Sequence, residues 1–486
     1  MTVDARTTSD DLATRLRHDA WRLLFEDPAR LRTDLAALIR SQPDALPLAQ
    51  GFRALAIDVI GADLLYDIPG APPARAGDEP SPGIRRLRGL IEHRRAGDAA
   101  AALRHVDSAL SDPEPPLPLS RAIVEEQRAL IHLASGETTA ALSALATAGA
   151  HATAAPTLAQ RIQFESAVAH ALRGNLRDAR HYLAVGEAIP AAAPAGAVTG
   201  EWRDVARGLI AVESVSHPQL TASLHLPPIE SATDLWPLVA LVRGREALVA
   251  RAPLRALETA EFALDCHDAT TPFAASATTW LMVSALVDLD DAPRAHAVVA
   301  TAPPTTLVDL ARARLALHEN ARADALRITG AVLARAGTAM AERGEALLLR
   351  LWAVALGDEL DPRECTIAAR LATFSSLRRL FALVPTWLIA QIAAALDEPS
   401  RERMSRATVD LAPYRPMTAT PPVLTTRESA VLQALFTFDS ISQIAAAMFV
   451  TPSTVKSQLS SVYRKLGARG RAEAMAIATR LDLIDL

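Results

Sequence analysis

A short turn phrase recurs along this 486-residue chain, and it constrains the fold more than any other feature. In its clear form it is a glycine and a polar residue ahead of a run rich in alanine and leucine: Gly97-Asp98, Gly136-Glu137 and Gly174-Asn175. These copies are 39 and 38 residues apart. Weaker copies are Ala252-Pro253, Asp291-Ala292 and Glu319-Asn320, with a still weaker one, His217-Pro218, in the gap. The chain is therefore predicted to repeat one structural unit.

The unit is predicted to be a hairpin of two helices. Up to about residue 410 alanine, leucine and arginine dominate, and runs of alternating polarity that are typical of strands are scarce. A period near 38 residues with one helical hairpin per unit predicts an α-solenoid, in which each hairpin buries its apolar face against its neighbours. The units resemble tetratricopeptide repeats in the loop and in the small residues Ala140, Ala141 and Ala179, although most aromatic positions of such repeats are absent. The alternative is an irregular all-helical domain in which the turns are ordinary connections.

Two proline-rich stretches divide the chain. The predicted parts are an N-terminal helical segment (1–68), a Pro/Gly-rich loop (69–83), the tetratricopeptide-like region (84–410), a Pro-rich linker (411–423) and a C-terminal domain (424–486). The uncharged stretch 380–396 contains Pro385, Thr386 and Gln391, so we expect a buried helix pair there rather than a membrane span.

The C-terminal domain is predicted to contain a helix-turn-helix. Thr425 and Glu428 have the spacing of a capping box and mark the start of a first helix. Ser440 opens a second, short helix, and Pro452 lies in the first turn of a third. The third helix carries apolar residues at steps of four, three and four, which should be buried against the first two helices: Val455, Leu459, Val462 and Leu466. In such a domain the last helix enters the major groove.

Positive charge is concentrated in the same segment. The chain has a formal net charge of −5, yet its only lysines, Lys456 and Lys465, both lie here. Residues 452–471 hold five basic side chains and no acidic one, and the net charge is +2 from residue 423 onward against −7 before it. A compact basic region on an acidic chain indicates a polyanionic partner.

Many residues of this segment follow a familiar order: Leu424-Thr425, Arg427-Glu428, Val431-Leu432, Ile444-Ala445, Thr454-Val455-Lys456, Lys465-Leu466-Gly467, Arg471, Ala474, Ala478 and Leu483-Ile484. The segment resembles the LuxR-type DNA-binding domain of bacterial transcription regulators, a four-helix fold. Phe438 stands where the family usually has glycine, and Gln458 where it usually has histidine. We expect Phe438 to alter the turn or to cover an apolar patch facing another part of the protein. Gln458 can still donate to a phosphate.

The resemblance implies that double-stranded DNA is the partner and assigns roles to seven residues. Lys456, Ser457 and Ser460 would face bases, and four further residues would contact the DNA backbone: Thr454, Gln458, Arg464 and Lys465. It also implies a dimer contact on the final helix, 471–481. A homodimer could form through that helix or through the helical repeats.

The sequence carries no recognisable enzyme motif. No lysine precedes residue 456, so a GxxxxGK[ST] phosphate-binding loop cannot exist and ATP-driven switching is not expected. Motifs of hydrolases, zinc proteases, dinucleotide-binding folds and phosphoacceptor receiver domains are missing too. Cys266-His267-Asp268 is the nearest to a catalytic cluster, but adjacent residues on a helix point in different directions, so we expect a buried thiol beside surface polar groups. No enzyme, cofactor or metal is expected.

The predicted function is a DNA-binding transcription regulator. Its helical repeats would sense a small molecule, a peptide or a protein and control the C-terminal domain. Two alternatives remain: a helical scaffold in which DNA binding is secondary, and an enzyme whose residues converge only in the fold. The first residues lack the basic start and apolar run of a signal peptide, and two cysteines cannot build a disulfide framework, so we expect a cytoplasmic protein without a membrane partner.

Overall fold

A computed structural model describes residues 23, 28–41, 82–111, 118–153, 155–190, 197–215, 225–232, 234–373, 377–414, 424–466, 468, 470–471, 474–475 and 478. Every regular element within these residues is helical, as the sequence predicts. No helix in the described residues is both long and apolar enough to cross a membrane.

The helices form one long succession. The first are α1 (Pro28–Ser41), α2 (Pro82–Arg95), α3 (Ala99–Leu110), α4 (Pro118–Ala134), α5 (Thr138–His151), α6 (Pro156–Arg173), α7 (Leu176–Ala188) and α8 (Ala197–Ser214). A 3-10 turn, Ile229–Ser231, precedes α9 (Trp236–Val249), α10 (Pro253–Cys266), α11 (Pro272–Asp288), α12 (Ala292–Ala300), α13 (Thr306–His318), α14 (Arg322–Ala334) and α15 (Met340–Ala355). Then follow α16 (Pro362–Thr373), α17 (Arg378–Ala382), α18 (Thr386–Ala394), α19 (Glu398–Thr408), α20 (Thr426–Thr437), α21 (Ile441–Ala447) and α22 (Pro452–Leu466).

The recurring turn motif of the sequence forms the same kind of helix C-terminus each time. Six turns place a residue in the left-handed region, with φ between 58° and 86°: Gly97, Gly136, Gly174, Arg251, Asp290 and Asn320. In each, the next N–H donates to the carbonyl five residues earlier, for example Asp98 to His93 at 2.9 Å and Ala321 to Ala316 at 2.8 Å. This is the Schellman cap, which satisfies carbonyls at a helix end. The predicted turns are thus confirmed, whereas the weak copy at His217-Pro218 lies outside the described residues.

The hairpins stack in two layers. The helices α9, α11, α13 and α15 pack against one another in sequence, while α10, α12 and α14 each pack beside a helix of that series. The inner helices are buried almost all round because each contacts its own partner and the next hairpin. This stacking is the arrangement expected of an α-solenoid, and its specific likeness to tetratricopeptide repeats stays a prediction.

The stack curls until early hairpins meet later ones. Helix α4 contacts α11, and α6 contacts α15. Arg94 and Arg95 each hold the carboxylate of Asp234 at 3.0 Å, and the Thr270 hydroxyl donates to the Arg95 carbonyl at 2.7 Å. Burial tends to raise the pKa of Asp234, but the two guanidinium groups outweigh it and hold the pKa well below its ordinary value. Cavities are left between the facing hairpins.

One expectation about the cysteines is wrong. Cys266 is exposed at the end of α10, whereas Cys365 is buried in the main core. The residue that turns inward is His267, whose ring stacks on Trp236 at 5.2 Å between centroids, and whose Nε2 lies 2.6 Å from the Ile229 carbonyl oxygen. Because the helix ends at Cys266, its thiol does not follow the buried stripe of alanines along α10.

Candidate DNA-binding site

Helix α22 has one buried and one exposed face. Val455, Leu459 and Val462 are at most 4% exposed and belong to the core that α20, α21 and α22 share. This confirms the predicted buried side for three of the four residues, since the side chain of Leu466 lies outside the described part. Thr454, Lys456, Ser457 and Ser460 are exposed, and Gln458 is half-buried. The helix therefore presents a polar, cationic front on an apolar support.

Local capping fixes the position of α20. Thr425 and Glu428 form the predicted capping box: the Thr425 hydroxyl accepts from the Glu428 N–H at 3.3 Å, and the Glu428 carboxylate accepts from the Thr425 N–H at 2.7 Å. The other Glu428 oxygen accepts a hydrogen bond from the Ser461 hydroxyl at 2.7 Å. One buried carboxylate thus joins the start of α20 to α22. This second role was not predicted, because it depends on residues 33 positions apart.

The turn between α21 and α22 is tight. Ser440 caps α21, and Thr451 caps α22 by accepting from the Thr454 N–H at 3.2 Å. Phe449 between them has φ of 52°, and the Val450 N–H donates to the Ala445 carbonyl at 3.0 Å. The turn is therefore another Schellman cap, here with a bulky residue in the left-handed position. The Phe449 ring is 96% exposed at the edge of the candidate site.

Comparison with known proteins agrees with this geometry. A family model described as bacterial regulatory proteins, luxR family, matches residues 422–478. The spore germination protein GerE of Bacillus subtilis (strain 168) is 32% identical over 65 residues, which is 13% of this chain and 88% of GerE. The chain belongs to the LuxR family of bacterial regulatory proteins. A probable transcriptional regulatory protein NarL of Mycobacterium tuberculosis (strain CDC 1551 / Oshkosh) is 47% identical over 64 residues, but the match spans only 30% of that relative.

Arg471 has a structural role within the LuxR-type domain, although its charge predicts a contact with DNA. Arg471 is one of the basic residues that indicate a polyanionic partner, yet its guanidinium donates to three carbonyls around the end of α20, those of Leu435, Phe438 and Asp439. Arg471 is half-buried and joins the chain that follows α22 to the end of α20. Further along, Ala474 and Ala478 are fully buried, and Ala478 belongs to the core that α20, α21 and α22 share.

Phe438 has a local explanation. Its φ of −124° and ψ of 138° are extended values that any residue adopts, so the turn does not require glycine. The ring is half-buried against the core of its own LuxR-type domain, which is the apolar patch that it covers. The expectation that this patch faces another part of the protein finds no support in that packing.

The structure brings five of the seven predicted site residues to one helix surface. The backbone of Arg464 and Lys465 continues α22 to its end at Leu466, while their side chains lie outside the described part. Serine beside lysine suits a DNA surface because serine allows close approach and lysine reaches base acceptors or phosphate oxygens.

Proposed function

We propose that this chain is a transcription regulator in which the helical region 84–410 senses an effector or docks a partner and thereby controls DNA binding by residues 424–486. The DNA-binding half is carried by one observation: helix α22 of the LuxR-type domain buries its apolar back and exposes Lys456, Ser457 and Ser460 together. These three residues contact bases. Thr454, Gln458 and two residues at the end of the helix, Arg464 and Lys465, contact the DNA backbone. A homodimer through the last helix or the repeats supplies two recognition helices.

The Tyr414 side chain anchors the connecting segment to the helical region, and this supports the proposal that the helical region controls the DNA-binding domain. Tyr414, at the start of the proline-rich stretch that leads to the C-terminal domain, is 5% exposed and packs on the helical region. Its hydroxyl donates to Asp288 at 2.6 Å, and its carbonyl accepts from the Thr386 N–H at 3.3 Å. The Tyr414 ring also meets Trp352 edge to face. The connection to the DNA-binding domain thus begins at a fixed point of the helical region.

Arg251 strengthens the anchor. Its guanidinium lies 4.7 Å from the centre of the Tyr414 ring, and its Nη2 donates to the Ala412 carbonyl at 2.7 Å. The same nitrogen donates to the Ala382 carbonyl of α17. The Arg251 side chain therefore bonds both the connecting segment and the helical region. A rearrangement around α17 would change the contacts that fix the connecting segment. An effector that binds the two arrangements unequally would shift their populations.

The DNA-binding proposal is tested with the full chain and a labelled duplex of its own promoter region. Affinity is measured at several salt concentrations for the wild type, for Lys456→Ala, and for Arg406→Ala as a matched control. Arg406 is an exposed cation of α19, paired with Glu402 at 3.5 Å. We expect Lys456→Ala to weaken binding by about 1–3 kcal/mol if the lysine reads a base, and to reduce the salt slope by about one if it contacts a phosphate.

Arg406→Ala should leave both quantities unchanged. If the wild type binds the promoter no better than an unrelated duplex, or if Lys456→Ala behaves like the control in both measurements, the assignment of α22 as the DNA-reading helix is wrong. The scaffold alternative would then gain weight, since it does not require specific DNA contacts.

A further inference from the structure

A cavity of about 690 Å³ opens between the facing hairpins of the helical region. Its walls come from the first residues of α5, α11, α13 and α15 and from the turn 335–339. Hydroxyl-bearing residues such as Ser276 and Thr305 alternate with apolar ones such as Leu172 and Phe273. Its volume lies within the range of ~300–1,000 Å³ found for small-molecule sites.

Two buried arginines lie at the base of the cavity. Arg379 of α17 is 1% exposed and Arg245 of α9 is 7% exposed. Arg379 Nε and Arg245 Nη1 each donate to the same oxygen, Oε1 of Glu213, at 2.8 Å. Both guanidinium groups also lie over the ring of Trp280, at 5.4 and 5.3 Å from its centre. Two cations therefore share one carboxylate oxygen in a buried place.

Two further groups, Glu345 and Arg314, complete the cluster. Glu345 accepts from the Trp280 Nε1–H at 2.9 Å, and Arg314 Nη2 lies 3.6 Å from the same Glu345 oxygen. The carboxylates of Glu342 and Asp288 also lie near Arg245 and Arg314, respectively. Burial, and then the like charge of Arg379, lower the pKa of Arg245 to about 10.

The other carboxylates on the wall and at the mouth of the cavity accept hydrogen bonds or form ion pairs of their own. Glu342 on the wall accepts from the Ala339 N–H at 3.3 Å in the cap of α15, and burial raises its pKa. At the mouth, Glu137 lies 2.7 Å from His132, and the cation Arg335 is held by Asp309 at 3.0 Å.

Hydrogen-bonding capacity at the base is also incomplete. Arg379 Nη1 and Arg245 Nε, of two residues that line the cavity, have no hydrogen-bond partner, and Glu213 Oε2 in the same cluster lacks one as well. The Glu345 oxygen that forms an ion pair with Arg379 Nη1 is 3.8 Å away, beyond hydrogen-bonding distance. Buried guanidinium groups normally satisfy their N–H donors, so these two nitrogens indicate a ligand that would accept from them.

We propose that this cavity binds a small organic anion, whose carboxylate or phosphate group accepts hydrogen bonds from Arg379 and Arg245. The alternating hydroxyl and apolar groups of the wall contact the remainder of the molecule. The described residues that line the cavity include no histidine or cysteine, so the lining favours binding over catalysis. As an effector site it rests on the proposed regulatory function, but as a binding site it stands on these contacts alone.

The test uses the full chain and the simplest probes of each chemistry, inorganic phosphate and acetate. Thermal unfolding is followed while either anion replaces chloride at constant ionic strength. We expect phosphate or acetate to raise the Tm in a saturable way, and the more effective of the two shows which head group the site prefers. Arg379→Lys keeps one charge but loses the guanidinium fork, so the apparent Kd should rise at least tenfold.

The matched control is Arg327→Lys. Arg327 lies on α14, is 70% exposed and is paired with Asp324 at 2.8 Å, so the apparent Kd should stay at the wild-type value. A crystal structure grown with the stabilising anion gives a second readout that does not depend on any variant. It should place the anion within hydrogen-bonding distance of Arg379 Nη1 or Arg245 Nε.

Stabilisation no greater than in chloride, an unchanged Kd in folded Arg379→Lys, or an anion bound only outside the cavity would each overturn the proposal. These measurements contain no DNA. Failure to bind anions would leave the DNA-binding assignment intact, and loss of promoter binding would leave the cavity site intact.

Discussion

Replacing Tyr414 by phenylalanine isolates the polar part of the anchor. The variant loses the 2.6 Å hydrogen bond to Asp288 and keeps the ring that packs against Arg251 and Trp352. Hydrogen bonds to charged groups contribute about 1.5–3 kcal/mol. Asp288 is partly exposed, so we expect the lower end, about 1.5–2 kcal/mol. At about 1.4 kcal/mol per factor of ten, release of the anchored segment should become roughly ten- to thirtyfold more frequent.

Hydrogen exchange at one amide reports that release. The Thr386 N–H donates to the Tyr414 carbonyl, so its protection factor should fall by the same factor in Tyr414→Phe. The Ile389 N–H donates to the Pro385 carbonyl in the same helix and serves as the control. Unchanged protection at Thr386, or an equal loss at Ile389, would show that the hydroxyl does not hold the connecting segment.

The same bond predicts a pH dependence. Burial raises the pKa of Asp288, against the lowering effect of the Tyr414 hydroxyl and of nearby arginines. Because the folded pKa is above the unfolded one, Asp288 favours folding most at low pH, and this contribution is lost as the pH rises through the folded pKa. Without the hydroxyl the folded pKa should rise further. The stability difference between wild type and Tyr414→Phe should therefore grow from about pH 4 toward neutrality, as measured by urea unfolding at several pH values.

Three further predictions concern stability and reactivity. Gly97→Ala should lower the free energy of unfolding by roughly 2–5 kcal/mol, because φ of 80° disfavours a Cβ and that Cβ would overlap the Thr270 carbonyl. Gly136→Ala has a similar φ of 81° but open space around the Cβ, so it should lower the free energy of unfolding by only about 1–2 kcal/mol. Urea unfolding of both variants measures the difference. Iodoacetamide should label exposed Cys266 readily, whereas Cys365, whose pKa burial raises to about 11, should react only as the chain unfolds, as mass spectrometry would show. Arg471→Ala should destabilise the C-terminal domain by about 1–3 kcal/mol while leaving the salt slope of DNA binding unchanged, because its guanidinium donates to main-chain carbonyls; a lower salt slope would instead indicate a phosphate contact.

Features set by neighbouring residues could be predicted from the sequence. The capping box of Thr425 and Glu428 needs a spacing of three, and the buried side of α22 needs the helical period, so both are visible in one short stretch. The turn phrase is similarly local. Its weaker copies keep the cap although Arg251, Asp290 or Asn320 replaces glycine, so the helix pattern around a turn carries as much information as the turn residue itself.

Contacts between helices that are far apart in the sequence could not be predicted, because they depend on how the stack of hairpins curves. The Glu213 carboxylate meets Arg245 and Arg379 across 32 and 166 positions of sequence, and no periodic pattern relates such residues. The residue type also does not show which way a side chain points. Arg471 has the charge of a DNA-binding residue, yet its guanidinium donates into its own domain, while Tyr414 lies in a proline-rich stretch that reads as a linker.

The short helix α17 joins the two parts of the proposed mechanism. Arg379 faces the base of the cavity, and three residues later the Ala382 carbonyl accepts from Arg251, the side chain that also holds Ala412 beside Tyr414. The next carbonyl, that of Leu383, accepts a hydrogen bond from Arg314 at 3.0 Å. Arg314 in turn lies beside Glu345 of the same buried cluster.

An anion that draws Arg379 away from Glu213 would therefore act on a helix of five residues whose other end is bonded to the anchor. So short a helix has little internal bonding to absorb a shift, and its packed surroundings favour discrete arrangements over gradual deformation. If this coupling operates, anion binding must change the protection of the Thr386 amide, and by thermodynamic reciprocity release of the anchored segment must change the affinity for the anion by the same factor.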